Sequence, residues 1–106
     1  MISEPLKDEW RKGEYRCSKC NALLFRSGDK FDSCTFWPSF RRGASGAVEF
    51  RDDHSGNMHR TEIVCRKCGF HLGHVFDDGR QSGDSHPKAG KRFCVLSSSL
   101  KFRAKE

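Results

Sequence analysis

The stretch CSKC at Cys17–Cys20 and its counterpart CRKC at Cys65–Cys68 decide the fold of this chain. Each C-x-x-C loop can direct two thiolates at one point, and four thiolates suit a tetrahedral Zn(II) ion. Because residues 21–64 separate the two pairs, the ion would join segments that lie far apart in the sequence. We therefore predict one structural zinc per chain, rather than redox disulfides or the disulfide framework of a secreted domain. The predicted ligands are Cys17, Cys20, Cys65 and Cys68.

A zinc ion held by four cysteines has no open position for substrate, so any catalysis must use other residues. The remaining two cysteines, Cys34 and Cys94, stand alone. No apolar run approaches the length of a membrane span, and residues 1–5 lack the pattern of a secretion signal. These features predict a cytosolic protein with no membrane partner, in a compartment where both lone thiols stay reduced.

The chain has 106 residues, of which 35% are hydrophobic, so we predict one domain over residues 1–106 with a marginal core that the metal stabilises. We expect a monomer. The net charge is +6, but the basic residues form no dense stripe, and acidic residues such as Asp52 and Asp77 interrupt them. We therefore expect no nucleic-acid partner. A zinc ribbon that binds nucleic acid remains the alternative, and a purely structural zinc protein is a third possibility.

The chain changes character at Gly13. Before it we predict a short helix over residues 4–12, capped by Ser3. After it, short β-favouring stretches alternate with turns rich in Gly, Pro, Ser and Asp, and residues 79–91 have the composition of an exposed loop. This pattern predicts an all-β fold of antiparallel sheets with a short N-terminal helix. The predicted strands are residues 14–17, 22–25, 47–51, 61–65, 72–76, 93–96 and 100–103.

Cys94 lies in one of these strands, in the sequence Arg92-Phe93-Cys94-Val95. Alternate strand residues share a face, so Arg92 would lie beside the thiol while Phe93 and Val95 face the core. A neighbouring guanidinium favours the thiolate, which is the nucleophilic form. A small buried hydrophobic residue is the other interpretation of Cys94.

Two histidines, His71 and His74, flank Gly73 in a predicted strand. Residues three apart face opposite sides of a regular strand, but a bulge at Gly73 would bring both imidazoles to one site. Either could then act as a general acid near neutral pH. Because Cys65, Cys68, His71 and His74 recur every three residues, a histidine could instead bind the zinc.

Three aromatic residues follow Cys34 in the segment Phe36-Trp37-Pro38-Ser39-Phe40. Such a cluster is most often part of a core. Beside a nucleophile it could instead form a cage for an apolar group such as a methyl.

Together these motifs resemble the methionine-R-sulfoxide reductases, the MsrB family, over residues 15–102. The shared motifs are both zinc pairs, residues 37–40, 71–76 with 78–79, and 92–94 leading into 97–102. The resemblance implies two antiparallel β-sheets, a structural zinc, and Cys94 as the catalytic cysteine.

The resemblance also implies the reaction. Cys94 would attack the sulfur of methionine-R-sulfoxide residues in oxidised proteins while His71 or His74 protonates the departing oxygen, leaving a sulfenic acid. Arg92 would hold Cys94 as thiolate, Trp37, Phe40 and Phe93 would bind the substrate, and a thioredoxin-type reductant would regenerate the enzyme.

The sequence departs from the common family pattern at three places. Where many members carry a resolving cysteine two residues before the tryptophan, this chain has Thr35, and Cys34 is one residue earlier. We predict Cys34 as the resolving cysteine. Leu96 replaces an asparagine, a feature similar to the selenocysteine-containing branch. The loop over residues 80–91 is longer than usual, and we expect its His86, like His54 and His59, to be exposed.

Overall fold

The computed structural model describes residues 4–105, and within them short strands form two antiparallel sheets. No α-helix occurs in this range, and short 3-10 turns connect some of the strands. The strands are β1 (Gly13–Cys17), β2 (Leu23–Arg26), β3 (Lys30–Phe31), β4 (Ser39–Phe40), β5 (Val48–Asp53), β6 (Arg60–Cys65), β7 (His71–Phe76), β8 (Arg92–Val95) and β9 (Leu100–Ala104). The predicted all-β fold with two antiparallel sheets is confirmed.

The smaller sheet has the order β2-β1-β9, and the larger has the order β3-β4-β8-β7-β6-β5. All seven predicted strands are present, with bounds that shift by one or two residues. The sequence analysis missed β3 and β4, which have two residues each. A strand of two residues is too short to show alternation, so only its partners in the sheet define it.

The core lies between the two sheets and is rich in aromatic rings. Phe40 stacks on Phe25 at 4.4 Å between ring centroids and meets the edge of Tyr15 at 4.9 Å. Phe93 is also buried, with its ring 6.0 Å from that of Phe25. The prediction that Phe40 and Phe93 bind substrate is therefore wrong, because their side chains are enclosed by the core. They support the sheet beneath the site.

The N-terminal segment forms a 3-10 turn over Pro5–Asp8 instead of a helix through residue 12. Its carbonyl groups bond to the body of the protein: the Tyr15 hydroxyl donates to the Glu9 carbonyl at 2.9 Å, and the Lys30 ammonium donates to the carbonyls of Leu6 and Glu9. These bonds hold the segment against the body of the protein, and its backbone is extended at Glu9, where the turn ends. The predicted cap, Ser3, lies outside the described residues.

The loop over residues 79–91 is largely exposed, as predicted, and a buried ion pair ties it to the body. Both carboxylate oxygens of Asp84 accept hydrogen bonds at 3.0 Å from the guanidinium of Arg41. The two side chains are almost fully buried. His86 is exposed, as expected. The composition of the loop gave no sign of this buried pair.

Candidate metal centre and active site

The four predicted zinc ligands lie together at one end of the molecule. The sulfur atoms of Cys17 and Cys68 are 3.7 Å apart, those of Cys20 and Cys65 are 3.6 Å apart, and all four lie within 4.8 Å of one another. A tetrahedral site with Zn–S bonds of about 2.3 Å has S–S edges of about 3.8 Å. The cluster therefore fits Zn(II).

Burial raises the pKa of the Cys17 and Cys65 thiols, that of Cys65 to about 12. A cation bound at the cluster would stabilise the thiolates against this effect.

The two cysteine loops share one backbone conformation. In each loop the residue four positions after the first cysteine has a positive φ, 67° at Asn21 and 78° at Gly69, and its N–H donates to the carbonyl of that cysteine. Asn and Gly adopt this conformation most readily. Because Cys17 ends β1 and Cys65 ends β6, a metal here would fasten one sheet to the other.

A β-bulge brings His71 and His74 to the same face of the larger sheet. His74 pairs with Glu62 and His71 pairs with Val64, so Leu72 is an extra residue in β7. Glu62 and Val64 are two apart in β6 and share a face, and their partners therefore share it too. The imidazole centroids are 5.5 Å apart. The bulge predicted at Gly73 is confirmed, and neither histidine belongs to the metal cluster.

Glycine is the only residue type that fits at position 73, beside the extra residue of the bulge. A Cβ atom there would lie 1.9 Å from the carbonyl oxygen of Cys94. The glycine thus permits β7 to approach β8 closely where Cys94 lies.

Each histidine is held by a carboxylate. Nε2 of His74 donates to Asp53 at 2.8 Å, and Nδ1 of His71 lies 2.6 Å from Glu62. Hydrogen bonds from the Ser55 backbone and from His74 hold the pKa of Asp53 well below its usual range, so it is ionised. These contacts leave Nδ1 of His74 and Nε2 of His71 as the nitrogens that can serve a substrate.

Cys94 lies in β8 between two partners, directly opposite His74 on one side and Ser39 on the other. Opposed residues of an antiparallel pair project to the same face, so its thiol shares the face of the histidines. The thiol is half-buried, and burial raises its pKa, while the charge and hydrogen bonding of Arg92 lower it. Arg92 acts in the predicted direction, although burial outweighs it.

Arg92 is fixed on two sides. Its guanidinium donates to both carboxylate oxygens of Asp78, at 2.8 and 3.2 Å, and lies 4.5 Å from the ring centroid of Phe76. A bidentate pair of this kind sets the orientation of the guanidinium as well as its position.

The loop over residues 32–38 leaves the sheet beside Cys94. The N–H of Val95 donates to the carbonyl of Pro38 at 3.1 Å, where the loop enters β4. In this loop Trp37 is 38% exposed, and its ring meets that of Phe36 edge-on at 5.5 Å. Cys34 is exposed and has a φ of 58°. Residues 32–38 do not form a strand. The position of Cys34, one residue earlier than the resolving cysteine of many family members, therefore does not determine the direction of its thiol.

The sequence analysis missed three acidic residues that orient the site: Asp53, Glu62 and Asp78. No local pattern assigned a role to Asp53, and Asp78 was noted only as part of the shared motif at residues 78–79. One signal was available for Glu62, since an acidic residue in a half-buried strand usually has a partner.

A cleft also lies elsewhere on the surface. It has a volume of about 660 Å³ and lies at the start of β1, away from the cysteine cluster, with Lys12, Arg26 and Arg103 among its lining residues. Cys94 and Trp37 are not part of it. We place the chemistry at Cys94 because a thiol and two histidines meet there, whereas no cysteine lines the cleft.

An all-β domain with a four-cysteine metal cluster, and a separate thiol facing two carboxylate-bound histidines, has the features of a zinc-containing thiol oxidoreductase. The SelR domain family matches residues 1–104. The chain is 47% identical over 100 residues to the "Peptide methionine sulfoxide reductase MsrB" of Thiobacillus denitrificans, covering 93% of this chain and 71% of the relative. It therefore belongs to the SelR-domain family, the MsrB methionine sulfoxide reductases, and is an oxidoreductase of this class.

Two further relatives carry related names. One is the "Methionine-R-sulfoxide reductase B3, mitochondrial" of Mus musculus, 48% identical over 91 residues, or 85% of this chain and 34% of the relative. Another is the MsrB of Photorhabdus laumondii, 48% identical over 93 residues, or 87% of this chain and 64% of the relative. The chain thus spans less than two thirds of both of these relatives. Within residues 4–105, no helix is long and apolar enough to cross a membrane.

Proposed function

We propose that this protein reduces methionine-R-sulfoxide residues of oxidised proteins to methionine, with Cys94 as the nucleophile. The observation that carries the proposal is the position of the Cys94 thiol, directly opposite His74 and beside Arg92 on one open face of the sheet. The names of the relatives, which specify a peptide methionine sulfoxide and the R epimer, support the choice of substrate.

The first half-reaction oxidises one sulfur and reduces another. The Cys94 thiolate adds to the sulfoxide sulfur, and the oxygen takes up protons and leaves as water. Water then adds to the Cys94 sulfur, which releases methionine and leaves a sulfenic acid on Cys94. In total, two electrons move from the Cys94 sulfur to the methionine sulfur, the sulfoxide oxygen leaves as water, and the oxygen of the sulfenic acid comes from the water that adds.

His74 is the proposed main proton donor, because it is directly opposite Cys94, with His71 as a second donor. Since Asp53 occupies Nε2 of His74, the proton reaches the substrate from Nδ1. A protonated oxygen is a much better leaving group than an oxide, and this is the chemical contribution of the histidines.

Trp37 is the proposed contact for the substrate. Its ring is partly exposed on the loop that leaves the sheet beside Cys94, so it can cover the S-methyl group of a sulfoxide.

The second half-reaction needs a second thiol. We propose Cys34, which is exposed on the same loop as Trp37, as the thiol that condenses with the sulfenic acid to give a disulfide and water. A dithiol protein of the thioredoxin type would then reduce the disulfide. The zinc takes no part in the chemistry, because its four ligands are cysteines. We propose that residues 1–106 act as one monomeric domain in the cytosol.

Trapping the intermediate tests the assignment of Cys94. Cys34→Ser should release one methionine per enzyme from methionine-R-sulfoxide without reductant. The carbon nucleophile dimedone should then label Cys94 alone in peptide mass spectrometry. Methionine release with no label on Cys94, or with a label on another cysteine, would reject the nucleophile proposed here.

A further inference from the structure

We propose that the hairpin joining β5 and β6 carries a second metal site, formed by Asp52, His54 and His59. The ligand class is a divalent ion of intermediate softness, with Zn(II) as the clearest example. This site is distinct from the cysteine cluster and does not depend on the proposed reductase activity.

The three side chains lie together on the outside of the hairpin. Their ligand atoms all lie within 4.8 Å of one another. Nε2 of His59 is 3.3 Å from a carboxylate oxygen of Asp52, and the rings of His54 and His59 stack at 4.5 Å with an angle of 5° between their planes.

The backbone of the hairpin places these residues. Asp53 and Arg60 form the last pair of the ladder, so His54 and His59 lie at the two ends of the connecting loop. The loop is closed by a hydrogen bond from the Met58 N–H to the Ser55 carbonyl at 3.3 Å.

The tip of the loop has consecutive positive φ values, 65° at Gly56 and 59° at Asn57. Gly and Asn are the residue types that tolerate this conformation best. The sequence therefore favours a turn that keeps the two histidines adjacent.

Two imidazoles and one carboxylate are a ligand set that zinc uses when a further position stays open to water. Zn–N bonds of about 2.0–2.1 Å require the two imidazole nitrogens to be within about 4 Å of each other. A rotation of the exposed rings out of their parallel stack achieves this. Because all three side chains are exposed, the site should bind and release metal more readily than the cysteine cluster, in which two of the four ligands are buried.

The site is connected to the active site through Asp53. This residue lies between Asp52 and His54 in the chain, and its carboxylate accepts the hydrogen bond from His74. A metal that fixes the side chains on both sides of Asp53 would restrain the carboxylate that orients His74. Metal at the hairpin should therefore be visible in the spectrum of the His74 ring.

Calorimetry on protein that already holds one zinc per chain tests the proposal. Titration with Zn(II) in a buffer that does not bind metal should show one further equivalent. The affinity for this second zinc should fall at least tenfold in each of three variants, Asp52→Ala, His54→Ala and His59→Ala. The matched control is His86→Ala, which removes an exposed histidine outside the cluster and should bind like the unchanged protein.

The free thiols are the main competing ligands, so the titration is repeated with Cys34→Ser and Cys94→Ser combined. The second equivalent should persist there, and nuclear magnetic resonance should show the rings of His54 and His59 shifting while that of His86 does not. The proposal is wrong if the second equivalent is absent, if it disappears with the thiols, or if His54→Ala and His59→Ala bind as the unchanged protein does.

Discussion

His74 and Cys94 are directly opposed across the antiparallel pair of β7 and β8, so the imidazole and the thiol project from the same face of the sheet. His71 belongs to the same strand but reaches that face only through the bulge, and it lies beyond Gly73, the residue at which the pairing of β7 with β8 ends. This difference in position assigns the two histidines unequal roles.

We expect His74→Gln to slow the release of methionine in the first half-reaction by about 100-fold or more, the range for loss of a general acid, and His71→Gln to slow it less. The measurement is methionine release in a single turnover. Equal losses in the two variants would show that the histidines share the proton donation.

The carboxylates behind the histidines give a second test. Asp53→Asn keeps the size of the side chain but removes the charge that His74 faces, and it should reduce kcat by roughly 10-fold or more. Glu62→Gln makes the same change behind His71 and should have the smaller effect. Thermal melts of both variants show whether any loss reflects unfolding, since Asp53 also accepts a hydrogen bond from the backbone of Ser55.

Arg92 should control the fraction of Cys94 that is thiolate. Burial raises the pKa of the thiol and Arg92 lowers it, so removing the guanidinium in Arg92→Met moves the pKa further up. Alkylation by iodoacetamide, followed from pH 6 to 10, should then require a higher pH, with Arg92→Lys in between. An unchanged or lower midpoint in Arg92→Met would contradict this role.

The sequence predicted the parts of the site that depend on local patterns. Paired cysteines predicted the metal cluster, a glycine between two histidines predicted the bulge, and alternation predicted that Phe93 faces the core. It did not predict Asp53, Asp78 or the Arg41–Asp84 pair, because these contacts depend on how strands and loops distant in the sequence come together. Phe40 and Phe93 were misassigned as substrate contacts for the same reason: an aromatic residue near a site cannot be told from a core residue until its neighbours are known.

The bulge itself can be tested through stability. Gly73→Ala forces a Cβ against the carbonyl of Cys94 and should cost about 3 kcal/mol, near the upper end for overpacking. Gly28→Ala is the control, since a Cβ there has no atom within 4 Å. Urea unfolding of both variants gives the comparison, and a Gly73→Ala protein as stable as Gly28→Ala would contradict the close approach of β7 and β8.

Removal of the cysteine-bound zinc should unfold the domain rather than only abolish its chemistry. The free energy of binding at such sites is about 10–16 kcal/mol, as large as the stability of a small domain. Circular dichroism during chelation should show loss of the β-sheet signal. The purified Cys68→Ser variant should be unfolded even without a chelator. Cys34→Ser should keep both zinc and fold, because Cys34 is outside the cluster. A folded apo-protein would rule out the structural role.

The most direct test of the central claim is stereochemical. The protein is incubated with dithiothreitol and a racemic peptide methionine sulfoxide, and the two sulfoxide epimers that remain are separated and quantified. We expect the R epimer to be consumed, the S epimer to be left, and Cys94→Ser to consume neither. Consumption of both epimers at equal rates, or full activity in Cys94→Ser, would contradict it.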